Sequence, residues 1–195
     1  MKLQIAHRTR NRYIGHRVAY LGTEQLNSSK TKSSQRAIEA QAAYDRGQLH
    51  HSNRRFDAAL EEFLAAYRLE SENDRYLFKV AAAYHNTGKF QEAVDAYSEL
   101  ITLLEVKPFK EQLLLAFAYK GGNLAKLGQF DEAGELIERA LEMDSVSPIG
   151  LAMKGQLFLS QGKKSEALEF IRRALEIDPE NKIVNALRVI ALQGE

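Results

Sequence analysis

Residues Pro148–Asn181, PIGLAMKGQLFLSQGKKSEALEFIRRALEIDPEN, predict two helices that are joined by a tight turn. The second half places five apolar residues at helical spacing on one face: Ala167, Leu168, Ile171, Ala174 and Leu175. Gly162 marks the end of the first helix, because glycine adopts the left-handed conformation at a helix C-terminus most easily. Pro179 follows the last turn and prevents the second helix from continuing. The stretch therefore predicts a helix–turn–helix unit.

The same pattern recurs at three other places in the chain. Phe56, Phe90 and Phe130 each begin a similar second helix, with an alanine three residues later. Phe56 and Phe90 are 34 residues apart, whereas Phe90 and Phe130 are 40 apart, so six residues are inserted between the latter two. A helix–turn–helix pattern that repeats every 34 residues or so is typical of a helical solenoid. We therefore predict an all-α helical-repeat fold.

These residues resemble the tetratricopeptide repeat family. Small residues fall at the close-packing point of each first helix: Gly47, Ala81, Gly121 and Gly155. Alanines fall at the matching point of each second helix: Ala59, Ala93, Ala133 and Ala167. The resemblance covers about residues 38–181 and implies a right-handed solenoid. The repeat domain of this chain would then span residues 37–195. Its four units would lie at about 40–73, 74–107, 114–147 and 148–181, and a capping helix would follow at 182–195.

The six inserted residues are expected to lengthen the two helices that flank Pro108. Apolar helical spacing continues through Leu104 and resumes at once after Lys110, which does not suggest a flexible loop. Longer helices should protrude from the stack or change its local curvature. The C-terminal helix, which mixes polar residues such as Asn185 and Arg188 into its pattern, is expected to present a polar outer face to solvent.

Residues 1–36 form a basic arm or linker that carries eight basic residues against Glu24 alone, a net charge of +7. The polar part, 23–35, predicts a linker or loop. Three interpretations of the arm remain open. It is a solvated tail or a helix packed on the first unit; it is a targeting presequence, being rich in Arg and Ser; or it binds nucleic acid or another acidic surface. The third would use four arginines: Arg8, Arg10, Arg12 and Arg17.

The sequence contains no recognised catalytic motif, since HExxH, GxSxG and the phosphate-binding loop are all missing. It has no cysteine, which excludes disulfides and thiolate chemistry. His50 and His51 are adjacent and would point apart on a helix, so they do not predict a metal site. We therefore expect a non-catalytic protein without cofactor or metal. No run of 18 apolar residues suggests a membrane span, and we expect a cytoplasmic protein, or an organelle-matrix one if the arm is a presequence.

The resemblance also implies a concave groove that is lined by the first helix of each unit. Its residues, mapped by register and with Tyr119 at the border, are Tyr44, Gln48, Arg75, Phe78, Ala82, Asn86, Leu115, Tyr119, Gly122, Lys126, Ile149 and Gln156. The centre should be apolar, with Phe78, Leu115 and Ile149 in line. Gly122 is expected to leave bare backbone open to a ligand.

Some members of the family hold the terminal carboxylates of a peptide with a clamp of Lys, Asn and Arg. The matching positions here hold Phe78, Ala82, Tyr119, Ile149 and Met153, so that clamp is absent. The groove instead suits a peptide or helix with hydrophobic anchors. We expect a scaffold or adaptor, with chaperone-like shielding as one form of this role. A nucleic-acid-associated assembly factor that uses the arm is the alternative. The N-terminal segment or a second copy covering the groove also remains open.

Overall fold

The computed structural model describes residues 31–106 and 110–193. Within these residues the regular secondary structure is α-helical throughout, which confirms the predicted all-α repeat fold. The first helix, α1, occupies residues 31–52. The others are α2 (Phe56–Leu69), α3 (Asp74–Asn86), α4 (Phe90–Glu105), α5 (Lys110–Lys126), α6 (Phe130–Met143), α7 (Pro148–Ser160), α8 (Lys164–Ile177) and α9 (Lys182–Gln193).

Consecutive helices pair into units, and the first helix of a unit also packs on its neighbours. α3 packs on α2 and α4, α5 packs on α4, α6 and α7, and α9 packs on both α7 and α8. The core is accordingly continuous along the stack. One cluster of buried residues joins α1 to α2 and α3, and a larger cluster runs from α3 to α9. Tyr67 and Tyr84 pack against both clusters.

Close packing within the units depends on the small residues that the sequence singles out. A Cβ atom added to Gly121 would lie 2.7 Å from Ile137 Cγ1, and one added to Gly155 would lie 2.9 Å from Ile171 Cγ1. Both distances are shorter than a van der Waals contact, so these glycines let the two helices of a unit approach. The predicted role of Gly121 and Gly155 is confirmed.

The turn inside each unit requires a residue with positive φ. Gly88, Gly128 and Gly162 adopt φ values of 76°, 78° and 75° there. The first unit has Arg54 at this position, with φ of 57°. Because a side chain crowds the backbone in the left-handed conformation, Arg54 holds a strained geometry that the other turns avoid.

Replacement of Arg54 by glycine should therefore stabilise the protein. Relief of left-handed strain is worth about 1–2 kcal/mol, and the greater freedom of glycine in the unfolded chain offsets about 0.5–1 kcal/mol of it. A net gain of about 0.5–1 kcal/mol should appear in urea unfolding. Arg54→Ala is the control, because it removes the same side chain but keeps the Cβ atom and hence the strain, so it should not gain stability. Equal losses in both variants would contradict the strain argument.

The insertion lengthens two helices, as the sequence predicts. α4 has 16 residues where α2, α6 and α8 have 14, and α5 has 17 where α3 and α7 have 13. The gains of two and four residues account for the whole insertion. Leu104, in the added turn of α4, is fully buried. The expected protrusion or change of curvature stays a prediction.

Two local predictions are wrong. Residues 31–35 are helical, so the predicted loop at 23–35 does not extend that far within the described residues. The side of α9 that packs against α7 and α8 buries only Val184, Leu187 and Ala191. The exposed residues of α9 are therefore mixed and not mainly polar, since apolar side chains lie beside Lys182, Arg188 and Gln193. Four large side chains of α9 are left at least 40% exposed: Ile183, Val189, Ile190 and Leu192.

Candidate functional site

The predicted groove residues differ widely in exposure. Three are buried: Tyr44, Gly122 and Gln156. Four polar ones are exposed: Gln48, Arg75, Asn86 and Lys126. The others are half-buried: Phe78, Ala82, Leu115, Tyr119 and Ile149. The half-buried set consists of apolar and aromatic side chains on the first helices α3, α5 and α7, and these offer the contact surface.

An aromatic cluster supports this surface from below. The ring of Phe78 lies edge-on to Tyr119 and to Tyr97, at 5.8 and 5.9 Å between centroids, and Tyr97 stacks on Tyr119 at 5.9 Å. Burial raises the pKa of Tyr119 to about 12. Burial also raises the pKa of Tyr97, and the neighbouring Tyr119 adds to that shift. Both phenols therefore stay uncharged at neutral pH, and the buried ring of Tyr97 supports the surface residues Phe78 and Tyr119.

Polar groups on the first helices bond mainly across to the next unit. Arg75 Nη2 in α3 donates to Gln41 Oε1 in α1 at 2.6 Å. At the other end of the same helices, Asn86 Nδ2 donates to His51 Nε2 at 3.0 Å. Two of the exposed groove positions, Arg75 and Asn86, therefore already hold α1 and α3 together.

The same kind of bond joins α3 to α5. His85 Nδ1 donates to Asn123 Oδ1 at 2.8 Å, and Asn123 Nδ2 donates to the carbonyl of Tyr119 at 2.8 Å. Asn123 is only 2% exposed, so these bonds satisfy an amide that would otherwise be costly to bury. The register of the repeat does not predict a polar contact at Asn123, because it assigns this position to the core.

Two groove predictions are wrong in the same place. Gly122 does not expose backbone to a ligand, because Gln156 Nε2 in α7 donates to its carbonyl oxygen at 2.6 Å. Met153 packs over the same glycine, so that a Cβ atom on Gly122 would lie 2.6 Å from Met153 Sδ. Gln156 is correspondingly 4% exposed. Gly122 and Gln156 therefore join α5 to α7 and are closed to a ligand.

The surroundings of His51 favour its neutral form, because they lower its pKa. Burial lowers the pKa of His51, and the positive charge of Lys79 lowers it further. A neutral imidazole can present Nε2 as the acceptor for Asn86, whereas a protonated one cannot. The bond between α1 and α3 therefore belongs to the neutral histidine.

A pocket of about 340 Å³ lies at the edge of the groove, between α3, the end of α4 and the start of α5. Its lining residues are Asp74, Arg75, Phe78, Lys79, Leu100, Leu104, Gln112 and Leu115. Three of these, Arg75, Phe78 and Leu115, belong to the predicted groove. The other five were not predicted, although the six-residue insertion that lengthens α4 and α5 was the available signal.

Comparison with known proteins places this fold in a family. The family model described as tetratricopeptide repeat matches residues 39–105 and 120–182. The chain belongs to the tetratricopeptide repeat family. The matched segments include the four predicted units in large part and leave out most of the insertion, where α4 and α5 depart from the regular repeat length.

This tetratricopeptide repeat chain is also similar to individual proteins. It is 25% identical over 124 residues to the peroxisomal targeting signal receptor of Candida albicans, a match that covers 64% of the chain and 20% of the receptor. It resembles Cut9–Hcn1 of the APC/C, with TM-score 0.60 and 18% identity over 77% of the chain and 29% of the other. It also resembles MamA of Desulfovibrio magneticus RS-1, with TM-score 0.57 and 17% identity over 80% and 94%. The chain thus spans only a small part of the receptor and of the Cut9–Hcn1 chain.

Among residues 31–106 and 110–193, no group of three or more His, Cys, Asp or Glu side chains could hold a metal ion. None of the helices found there has the length and apolar character needed to cross a membrane. Arg8, Arg10, Arg12 and Arg17 lie outside the described residues, so the nucleic-acid contact stays a prediction.

Proposed function

We propose that the chain is a protein-interaction module that binds an extended peptide segment of another protein across α3, α5 and α7. The supporting observation is the set of half-buried apolar side chains on these helices, above all Phe78, Leu115 and Tyr119, over a buried aromatic base. Fixed aromatic and aliphatic side chains bind a peptide well, since they lose little conformational freedom.

The charges that surround this surface favour a separate partner over the chain's own N-terminal arm. The exposed or half-exposed cations on α3 and α5 include Arg75, Lys79 and Lys126. The arm, residues 1–36, carries a net charge of +7 and would be repelled by these cations. An acidic segment of another protein would instead be attracted to them.

The relatives fit this role. The Candida albicans protein is named as a receptor for a peroxisomal targeting signal, and Cut9 was solved together with Hcn1 in a hetero-tetramer. Both names describe recognition of another molecule by the protein concerned. A scaffold, an adaptor or a chaperone-like shield would each use the same groove, and the partner decides among them.

The proposal can be tested by selecting partners from a phage-displayed library of random 12-residue peptides on the full chain. We expect enriched peptides with apolar anchors. Their affinity, measured by fluorescence anisotropy, should fall at least tenfold with Ile149→Glu, since the new carboxylate lies in the groove. Ile177→Glu is the matched control on α8, where Ile177 is 47% exposed. No enrichment, or an equal effect of both variants, would contradict the proposal.

A further inference from the structure

The pocket at the edge of the groove is a product of the six-residue insertion. Leu104 and Gln112 both line it, and both lie in the turns by which α4 and α5 exceed the regular helix lengths. At the position of Leu104, the other units have acidic residues that end the second helix: Glu70, Asp144 and Asp178. Only an apolar residue here could be buried beneath the added turn of α5, as Leu104 is.

The pocket combines an apolar floor with a charged rim. Phe78, Leu100, Leu104 and Leu115 supply the floor, and Leu100 and Leu104 are almost completely buried. Its volume of about 340 Å³ falls at the lower end of the range for sites that accept small organic groups. The floor therefore suits one bulky apolar side chain, such as that of leucine, methionine or phenylalanine.

Two basic side chains lie at the rim of the pocket. Arg75 and Lys79 are four residues apart on α3, so they lie on one face of the helix. The guanidinium of Arg75 is fixed in place, because it donates to Gln41 and lies 4.3 Å above the ring of Tyr44. Asp74 also lines the pocket and leaves the rim with a net charge of one positive unit.

From this combination we infer that the pocket selects the partner segment by a bulky apolar residue next to an aspartate or glutamate. The apolar side chain enters between Phe78 and Leu104, and the neighbouring carboxylate binds Arg75 and Lys79. A guanidinium and an ammonium both bind carboxylates through charge-assisted hydrogen bonds. This inference rests on the proposed function, because it names the residues that a groove-bound peptide must carry.

The carboxylate belongs to a side chain and not to a peptide end. The pocket lies between the second and third units, and predicted groove positions continue on both sides, with the exposed Gln48 on α1 and the half-buried Ile149 on α7. A peptide that follows this surface passes the pocket with an internal residue. The selected peptides should therefore bind equally well when their C-termini are amidated.

The test uses the same library and a pair of charge reversals. On the unmodified chain, we expect selected peptides to share leucine, methionine or phenylalanine beside an aspartate or glutamate. Changing either of these two peptide residues to alanine should weaken binding at least tenfold. Lys79→Glu should weaken it to the same extent and, in a new selection, replace the acidic preference by a basic one. Lys182→Glu, the same change at an exposed lysine of α9 and away from the groove, should alter binding less than twofold.

The outcomes separate this inference from the proposed function. Peptides that lose affinity with Ile149→Glu but keep it with Lys79→Glu would overturn the inference and leave the groove as the binding surface. Peptides without an apolar–acidic pair would also overturn it. Loss of affinity on C-terminal amidation would show that a terminal carboxylate is bound and would contradict the internal position. If the library yields no peptide at all, both the proposed function and the inference fail.

Discussion

Replacement of Tyr97 by alanine is expected to lower the free energy of unfolding by about 3–5 kcal/mol, as for other buried aromatic residues. Tyr97 is 1% exposed and its ring contacts both Phe78 and Tyr119, so the deletion leaves a cavity under the groove. At about 2–4 °C for each kcal/mol in a chain of this size, the midpoint of thermal unfolding should fall by roughly 6–20 °C. Calorimetry or circular dichroism would measure the fall.

Tyr97→Phe is the control for this variant. It keeps the ring and its packing and removes only the hydroxyl, so the loss should stay at about 1 kcal/mol or less, well below that of Tyr97→Ala. Peptide binding should survive in Tyr97→Phe, because the support beneath Phe78 and Tyr119 is intact. A loss as large as that of Tyr97→Ala would show that the hydroxyl, and not the packing, holds the cluster.

Gly121→Ala should destabilise the protein by about 1–3 kcal/mol, the usual cost of overpacking. The new methyl group would lie 2.7 Å from Ile137 Cγ1 and 2.9 Å from the carbonyl oxygen of Ala133. Neither neighbour can yield cheaply, since one is the branch of a β-branched side chain and the other is backbone. In the second unit, Ala81 stands at the position of Gly121 and Tyr97 at the position of Ile137. Those two helices pack with the methyl group of Ala81 in place, whereas α5 and α6 pack without one. The cost of Gly121→Ala therefore comes from adding a methyl group to a helix pair that has no space for it.

A second glycine within a helix should show the opposite change in stability when it is replaced by alanine. A Cβ atom on Gly134, in α6, would lie 3.9 Å from its nearest neighbour, Leu157 Cδ2. Gly134→Ala therefore gains helix propensity without a clash and should stabilise the protein by up to about 1 kcal/mol. Urea unfolding of the two variants would compare them directly. If Gly121→Ala were also stabilising, α5 and α6 would not be in the close contact described above.

The fold was predictable because it follows from residues that repeat. The glycines and alanines at fixed positions require two helices to approach closely in every unit, and this requirement is visible in the sequence alone. The length of the insertion was also readable, since apolar spacing continued on both sides of Pro108. These signals are local, and each needs only one helix or one helix pair to be interpreted.

Features that depend on the distance between units were not predictable. Gly122 looked open to a ligand because register alone does not show that Gln156 reaches its carbonyl from α7. The outer face of α9 was expected to be polar because the sequence does not show how few of its apolar residues α7 and α8 would cover. Leu100 and Leu104 were missed as pocket residues, since their role depends on the added turn of α5. The groove residues themselves stay predictions until binding is measured.

The hydrogen bonds between first helices have a consequence for the spacing of residues in a partner. Gln156 with Gly122 fixes the separation of α5 and α7, which pack directly on each other, and packed helices are about 8–10 Å apart. An extended peptide advances about 3.3 Å per residue. A peptide that crosses these helices therefore reaches the next helix only about every third residue. The residues by which a partner contacts successive helices should accordingly be spaced about three residues apart in its sequence.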